Sequence, residues 1–443
     1  MKFDNHPTVV NVRNAPRHQK GPEAPLSAEW LKDLARKHGA GDAGLVEIDR
    51  PELADQLDYI RQVFPETKTL LAVCSRMNRE PVRSPVRSVA NQEFHTVYDE
   101  VNEVARAIVT ELSELGIPAC NAVAAFPMEA QLPGRTWTVA HKPIAVAAGL
   151  GKMGLHRSVI HPKFGSFILL DTILIGADAD AYDQPIDYNP CLECKLCVAA
   201  CPVGALKPDG RFDFLSCYTH NYRDFLGNFS DFVGAVVESK DMATYRKRFS
   251  DGETTSMWQS LSFKPGYKAA YCVAVCPAGE DVINPFLEDR PDYVTRVVKP
   301  LQEKEETLFV LPGSDAEDYA RRRYPHKAVK RVQQSIAVAS IAGFLARLPL
   351  GFQPGRSKGL SATFHWTFTG EDETCVTIRI DNRRLTVERG HQGEAEVKVT
   401  ADAKTWIKIL NREYSMINAI VLRKVRVKGS MGLFRAFGRC FPG

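Results

Sequence analysis

Apolar and polar positions follow two different rhythms along this chain, and the change of rhythm divides it. Between residues 27 and 180, short apolar runs alternate with stretches of helical spacing. Residues 69–74 and 167–175 are continuous apolar runs of strand length, the pattern of strands buried on both faces. Between them, residues 93–115 carry apolar side chains at helical spacing, and Ser27-Ala-Glu-Trp-Leu reads as a capped helix start. Alternation of this kind predicts an α/β domain over residues 26–183. Ahead of it, residues 1–25 form a polar tail rich in Pro and Asn.

The last hundred residues keep a period of two. Stretches 362–369, 375–380, 384–388 and 395–400 have strand character, with turn residues between them. In the second, Val376, Ile378 and Ile380 alternate with Thr377 and Arg379, giving one buried and one wet face. Residues 406–422 are helical in pattern, 424–428 read as a last strand and 433–437 as a last helix. A strand meander followed by covering helices predicts an α+β domain over 345–443. It has no nucleophile or metal constellation, so its expected work is packing or binding something apolar. The charged stretch 299–307 and the mostly helical pattern of 315–348 predict a charged, helical linker over 299–344.

Composition narrows the function classes. A length of 443 residues is enough for two to four domains. The net charge of +4 is spread along the chain, and the basic runs 321–323 and 423–428 read as solvated faces, which disfavours a nucleic-acid partner. The N-terminal segment has no apolar core, and the longest apolar stretch, 336–352, is broken by Arg347 and Pro349, so no membrane span is expected. Eleven cysteines, most of them at cluster spacing, indicate a reducing compartment and a cytoplasmic protein.

Those cysteines carry the chemistry. Cys191, Cys194, Cys197 and Cys201, followed by Pro202, form the C-x2-C-x2-C-x3-C-P run of bacterial ferredoxins, whose fourth cysteine serves another cluster. Cys272-x3-Cys276-Pro277 reads as the matching second half. Structural zinc would need two well-separated pairs instead. The ferredoxin crossover assigns Cys191, Cys194, Cys197 and Cys276 to one [4Fe–4S] cluster and Cys201, Cys217 and Cys272 to a second, within a ferredoxin-like domain over 184–298. A complete second run would have a cysteine where Ala269 stands, so that cluster is one thiolate short. Three readings stay open: a non-cysteine ligand such as His220 or Asp281, a three-iron cluster, or an open iron taking an exogenous ligand. Cys74, Cys120, Cys375 and Cys440 lie in unrelated contexts and read as free thiols.

A glycine run also stands out. Gly149-x-Gly151-x-x-Gly154 matches the dinucleotide fingerprint, yet His161-Pro162 and Gly165 make the required helix improbable, so the glycines read as room for a bulky flat cofactor. His141, His156 and His161 bracket the run and complete a candidate pocket.

The stretch AVAAGLGKMGLHRSVIHPKFGSFILLDTILI, followed by CLECKLCVAACPVGAL, resembles the core of the epoxyqueuosine reductase and reductive dehalogenase superfamily, over about residues 30–290. The resemblance implies two [4Fe–4S] clusters feeding a corrinoid beside the glycine loop, with an electron donor such as a ferredoxin or flavodoxin. Two departures stand against it. The stretch TVAHKPIAV offers Ala140 and His141 where the tRNA-modifying members carry an acidic proton donor, and Ala269 replaces a cysteine. Residues from about 345, including GHQGEAEVKVTADAKTWIKIL and KVRVKGSMGLF, are similar to the sterol carrier protein 2 family, which implies a tunnel for lipids, sterols or acyl chains. The expected protein is an iron–sulfur oxidoreductase with an apolar-ligand module and no assigned catalytic residue. Its rivals are a ferredoxin-like electron carrier and a redox sensor coupled to lipid binding.

Overall fold

The structure is a computed structural model that describes residues 3–14, 25–126, 138–333 and 338–442. Residues 15–24 of the polar tail lie outside the described residues, as do 334–337 of the expected linker. The chain divides into two compact units.

The first unit comprises Met1–Arg79, Gln92–Glu193 and Pro277–Leu287. Its strands are β1 (Asp42–Glu47), β2 (Thr69–Arg76), β3 (Ala119–Asn121), β4 (Lys152–Met153), β5 (Val159–Ile160) and β6 (Ile168–Ile175). Four of them form one sheet in the order β1-β2-β6-β3, and β4 with β5 makes a small hairpin. Strand and helix alternate as the periodicity predicts, and both apolar runs are strands. Every neighbouring pair in the larger sheet is nevertheless antiparallel. The runs are continuous because both faces are covered. Leu45, Leu71, Val73, Ile173 and Ile175 pack with Leu31, Leu34, Val101, Val104, Ile108 and Leu112. Their neighbours Val46, Leu70, Ala72, Cys74 and Leu174 pack with Ile144, Ala145, Ala148 and Leu150. Each strand thus sends alternate side chains into two different cores. The Ser27 hydroxyl accepts the Trp30 amide and starts the helix Ala28–Lys37, as its sequence indicates.

The second unit comprises Glu80–Asn91, Cys194–Cys276 and Glu288–Gly443. Its cysteine-rich part is built from short helices, among them Leu196–Ala200, Phe214–Asn221 and Tyr271–Ala274, the first packed against the third. Within 299–344, strands β7 (Thr307–Val310) and β8 (Ala328–Arg331) pair in parallel, with the helix Asp315–Arg323 between them in sequence. The charges of this stretch are internally used: the buried Lys327 ammonium pairs with Glu306 at 2.6 Å. The Tyr324 hydroxyl and the Gln302 amide both donate to the Ala199 carbonyl, at 2.8 and 2.9 Å, so the stretch packs on the cysteine-rich helices.

The C-terminal sheet contains β9 (Ser361–Thr369), β10 (Thr374–Asp381), β11 (Arg384–Arg389), β12 (Val397–Asp402) and β13 (Val425–Gly429), in the order β11-β10-β9-β12-β13. The first three form the expected meander. β12 then crosses over to lie parallel to β9. The single helix expected over 406–422 is two, Ala403–Leu410 and Met416–Val421, because Arg412 turns left-handed and Ser415 caps a new start. The core is aromatic: Trp366, Trp406, Phe344, Phe364, Phe368 and Phe437 belong to one cluster. No described helix is long and apolar enough to cross a membrane.

Candidate iron–sulfur centre

The run Cys191–Cys201 is wound by its backbone. Glu193 and Lys195 both have left-handed φ values, 49° and 62°, and the helix that follows, Leu196–Ala200, is barely more than one turn. A left-handed residue entering a right-handed turn gathers successive amides into an anion-binding concavity. Asn189 accepts the Cys191 amide at 3.0 Å. Cys201 ends the helix in extended backbone, as the following Pro202 requires. Its buried sulfur accepts the Ala205 amide at 3.2 Å. Burial pushes that thiol up, and the amides of Leu206, Ala205 and Val203 oppose it by favouring the thiolate.

Tertiary structure brings together cysteines that the sequence keeps far apart. The Tyr293 hydroxyl is pushed up to about 12, chiefly by burial, with Arg83 opposing and the thiols of Cys276 and Cys194 adding to the rise. One tyrosine therefore has as charge neighbours two of the four cysteines expected to share a cluster. Arg83 donates to that hydroxyl at 3.2 Å. On the other side of the expected crossover, Cys272 and Cys201 stand on different neighbours. Cys272 is a charge neighbour of Arg87, and Cys201 of Tyr319 and Tyr324. Cys217 is half-buried on the helix Phe214–Asn221, which Asp213 caps through the Ser216 amide at 2.9 Å.

Among the described residues no group of three or more His, Cys, Asp or Glu side chains is set to hold a single metal ion. A cubane, by contrast, spreads its four thiolates over four irons. The donor set fits such a cluster: its thiols stand on a loop wound at Glu193 and Lys195 and on two short helices, Leu196–Ala200 and Tyr271–Ala274, that pack together.

The two substitute ligands fare differently. His220 is buried, and its Nδ1 accepts the Phe309 amide at 3.3 Å, so Nε2 carries the proton. That Nε2 is buried without a partner, and burial lowers the ring to about 4, so it is a neutral donor rather than a free lone pair. Asp281 belongs to the first unit, where its carboxylate stands 3.9 Å from Arg76.

In the first unit the glycine loop serves the protein itself. A Cβ on Gly149 would meet the Gln184 carbonyl oxygen at 2.7 Å, one on Gly151 the Ile160 oxygen at 2.3 Å, and one on Gly154 the Ile160 side chain at 2.6 Å. The room these glycines leave is filled by neighbouring chain. His161 donates from Nε2 to Asp42 at 2.9 Å while Nδ1 accepts the Lys163 and Phe164 amides. His156 accepts the Ser158 amide on Nδ1, and its Nε2 is buried without a partner. The HPKFG segment has a clear task. Its backbone lies against the residues that follow Cys276-Pro277, with Glu280 and Asp281 donating to the carbonyls of Pro162 and Lys163 at 2.9 and 3.0 Å. Gly165 and Gly279, both at positive φ, permit that approach.

His141 reveals a carboxyl that sequence reading missed. Its Nε2 donates to the Val123 carbonyl at 2.8 Å, and its Nδ1 accepts the Thr172 hydroxyl at 2.9 Å. Asp171 lies 3.8 Å from the same Nδ1, is buried, and has one oxygen without a partner. Burial raises this carboxyl well above its usual range, and burial lowers His141. A carboxyl whose pKa burial raises thus faces an imidazole whose pKa burial lowers. Its signal in the sequence was one Asp inside the apolar run of β6.

Comparison with known proteins adds the family. Residues 185–207 match the 4Fe-4S binding domain and residues 348–442 the SCP-2 sterol transfer family. An epoxyqueuosine reductase of Bacillus cereus is 30% identical over 303 residues, covering 64% of this chain and 69% of that protein. This chain belongs to the epoxyqueuosine reductase family. The family resemblance read from motif order is thereby established. An epoxyqueuosine reductase of Gloeobacter violaceus is 30% identical over 204 residues, 44% of this chain and 58% of that protein. The chain therefore spans little more than half the length of that curated relative. The solved epoxyqueuosine reductase of Streptococcus thermophilus overlaps 42% of this chain and 54% of its own, at 18% identity and a TM-score of 0.31.

Proposed function

We propose that this epoxyqueuosine reductase relative is an iron–sulfur reductase whose C-terminal domain holds an apolar ligand. The observation that carries the reading is the packing of helix Leu196–Ala200 on helix Tyr271–Ala274, which brings the two cysteine runs side by side as the ferredoxin crossover requires. Bound clusters supply one-electron transfer. Cys191, Cys194, Cys197 and Cys276 would hold the first, and Cys201, Cys217 and Cys272 the second. His220 keeps its proton on Nε2 and so would donate a hydrogen bond near its site rather than ligate iron. The second cluster is then left with three thiolates, a three-iron cluster or an open iron. Asp171, a buried carboxyl 3.8 Å from His141 whose pKa burial raises, is the group of the first unit we assign to supply a proton in place of the acid absent at Ala140. Residues 348–442 enclose an aromatic core suited to an apolar partner, whose burial is worth about 25 cal/mol per Å².

One observation favours the electron-carrier reading instead. Gly149, Gly151 and Gly154 make room for protein, so they do not form a corrinoid cradle, and no step is assigned to that group. Anaerobic purification with iron, sulfide and cobalt analysis and EPR separates the two. Two clusters per chain with stoichiometric cobalt mean a corrinoid-loaded reductase; clusters that reduce no acceptor and take up no corrinoid mean a carrier. Cys194→Ser should remove one cluster's spectrum, and an unaltered spectrum and iron content in that variant would sink the whole assignment.

A further inference from the structure

Arg83 and Arg87 lie one helical turn apart in sequence, and each sits over a tyrosine next to cysteines of a different expected cluster. Arg83 is fully engaged. It donates to the Tyr293 hydroxyl at 3.2 Å and the Ala274 carbonyl at 3.4 Å, and pairs with Glu80 at 3.3 Å. Arg87 is not. Its Nη1 donates to the Ser84 carbonyl at 3.2 Å and its guanidinium stands 5.2 Å from the centre of the Tyr271 ring. Its Nε and Nη2 are buried with no partner in the protein. Buried cationic donors left unmade are costly, so a fold that keeps them has an acceptor to offer.

The neighbourhood says which one. Asn91, one turn further along the helix Arg87–Glu114, exchanges two hydrogen bonds with the Tyr267 backbone, at 3.2 and 2.9 Å. The turn 87–91 therefore runs beside residues 267–271. In the middle of that segment lies Ala269, where the second cluster lacks a thiolate, and just past its end lies Cys272. Burial lowers Arg87, and Tyr271, Glu306 and Cys272, in that order, favour its charged form.

We infer that Arg87 is the charge-compensating donor of the second cluster, giving its Nε–H and Nη2–H to the anionic sulfur beside Cys272 and raising that cluster's potential. The inference rests on the reading that Cys201, Cys217 and Cys272 hold a cluster. A fixed cation stabilises the more negative, reduced cluster, and a bidentate guanidinium does so with two directed bonds. Its place over Tyr271, two residues from Ala269, links the cation to the missing thiolate: the cluster has one fewer protein ligand and one more hydrogen-bonding cation.

The test is an EPR-monitored redox titration of the cluster-loaded protein, with iron and sulfide counted in the same samples, for the wild type, Arg87→Gln and Arg87→Lys. The expected result is two clusters in all three, with one midpoint lowered in Arg87→Gln, less so in Arg87→Lys, and the other midpoint unmoved. Loss of one cluster from Arg87→Gln with its retention in Arg87→Lys also supports charge compensation. Two clusters at unchanged potentials in both variants overturn the inference alone. Loss from both variants overturns it too, by making Arg87 a folding residue. A wild type with a single cluster overturns the ligand reading beneath it.

Discussion

The two larger sheets of this protein bury different things. The four-stranded sheet of the first unit has two covered faces, and within them it keeps Asp171, Thr172 and His141, a polar group that holds a proton out of water. The five-stranded C-terminal sheet packs rings on rings, with Trp366 and Trp406 at a centroid distance of 4.7 Å, while His365 is buried on the opposite face of β9, stacked on His391. A buried carboxyl costs stability as soon as it must ionise, so it persists where a proton is wanted. A ring-filled interior costs nothing of the kind and serves packing or an apolar ligand. The two modules are thus built differently, one around a buried carboxyl and the other around packed rings.

The sharpest way to break that contrast is at Trp366, which is fully buried. Trp366→Ala should cost about 3–5 kcal/mol in urea unfolding through the cavity it leaves. Trp366→Phe should cost clearly less, since it also removes an indole N–H that has no partner. Equal costs would mean that the core collapses freely and is not tightly packed.

Acid should strike the first unit. Burial lowers His156 to about 4, below its ordinary 6.5, so its contribution is present above pH 6.5 and lost as pH falls toward 4. That loss is up to about 3 kcal/mol at about 1.4 kcal/mol per pKa unit. His156→Gln should flatten the stability curve over this window, and an unchanged curve would place the acid lability elsewhere.

Asp171 works with the opposite sign. Its native pKa is raised by burial, so its contribution is complete below about 3.8 and declines as pH climbs toward the native value. Asp171→Asn should therefore gain stability over the wild type at neutral pH and show none of that gain in acid, about 1.4 kcal/mol for each unit of displacement. If Asp171 supplies a proton to the reaction, the same variant loses turnover while keeping its cluster spectrum.

The smallest effect is chemical. In the native protein Cys375, exposed beside the C-terminal sheet, should be alkylated readily, whereas Cys74, buried and pushed up to about 12, should stay protected until unfolding. Mass spectrometry of the labelled chain distinguishes them.

Much of the site was legible because its information is local. The spacing Cys191–Cys201 needs only a wound loop, and the loop is wound by residues within it. The HPKFG glycine was legible as a motif but not as a task, since its partner, Gly279, comes more than a hundred residues later. Asp171 was passed over because a single Asp in an apolar run has the pattern of an interrupted strand. Only a histidine placed opposite gives it meaning.

The sequence by itself determined the two doubly buried strands of the first sheet, the C-terminal meander, the cluster spacing and the family. Periodicity and spacing act over a few residues, so they survive without a fold. Tertiary structure alone decided the antiparallel pairing of the first sheet, the parallel seat of β12 beside β9 and the packing of helix Leu196–Ala200 on helix Tyr271–Ala274. It also placed a buried carboxyl 3.8 Å from His141 and left two donors of Arg87 without a partner over the Tyr271 ring, next to Cys272 in sequence. Each depends on residues distant in sequence, whose approach is chosen by burial of whole faces and by the satisfaction of buried polar groups, and neither is written in any short stretch of chain.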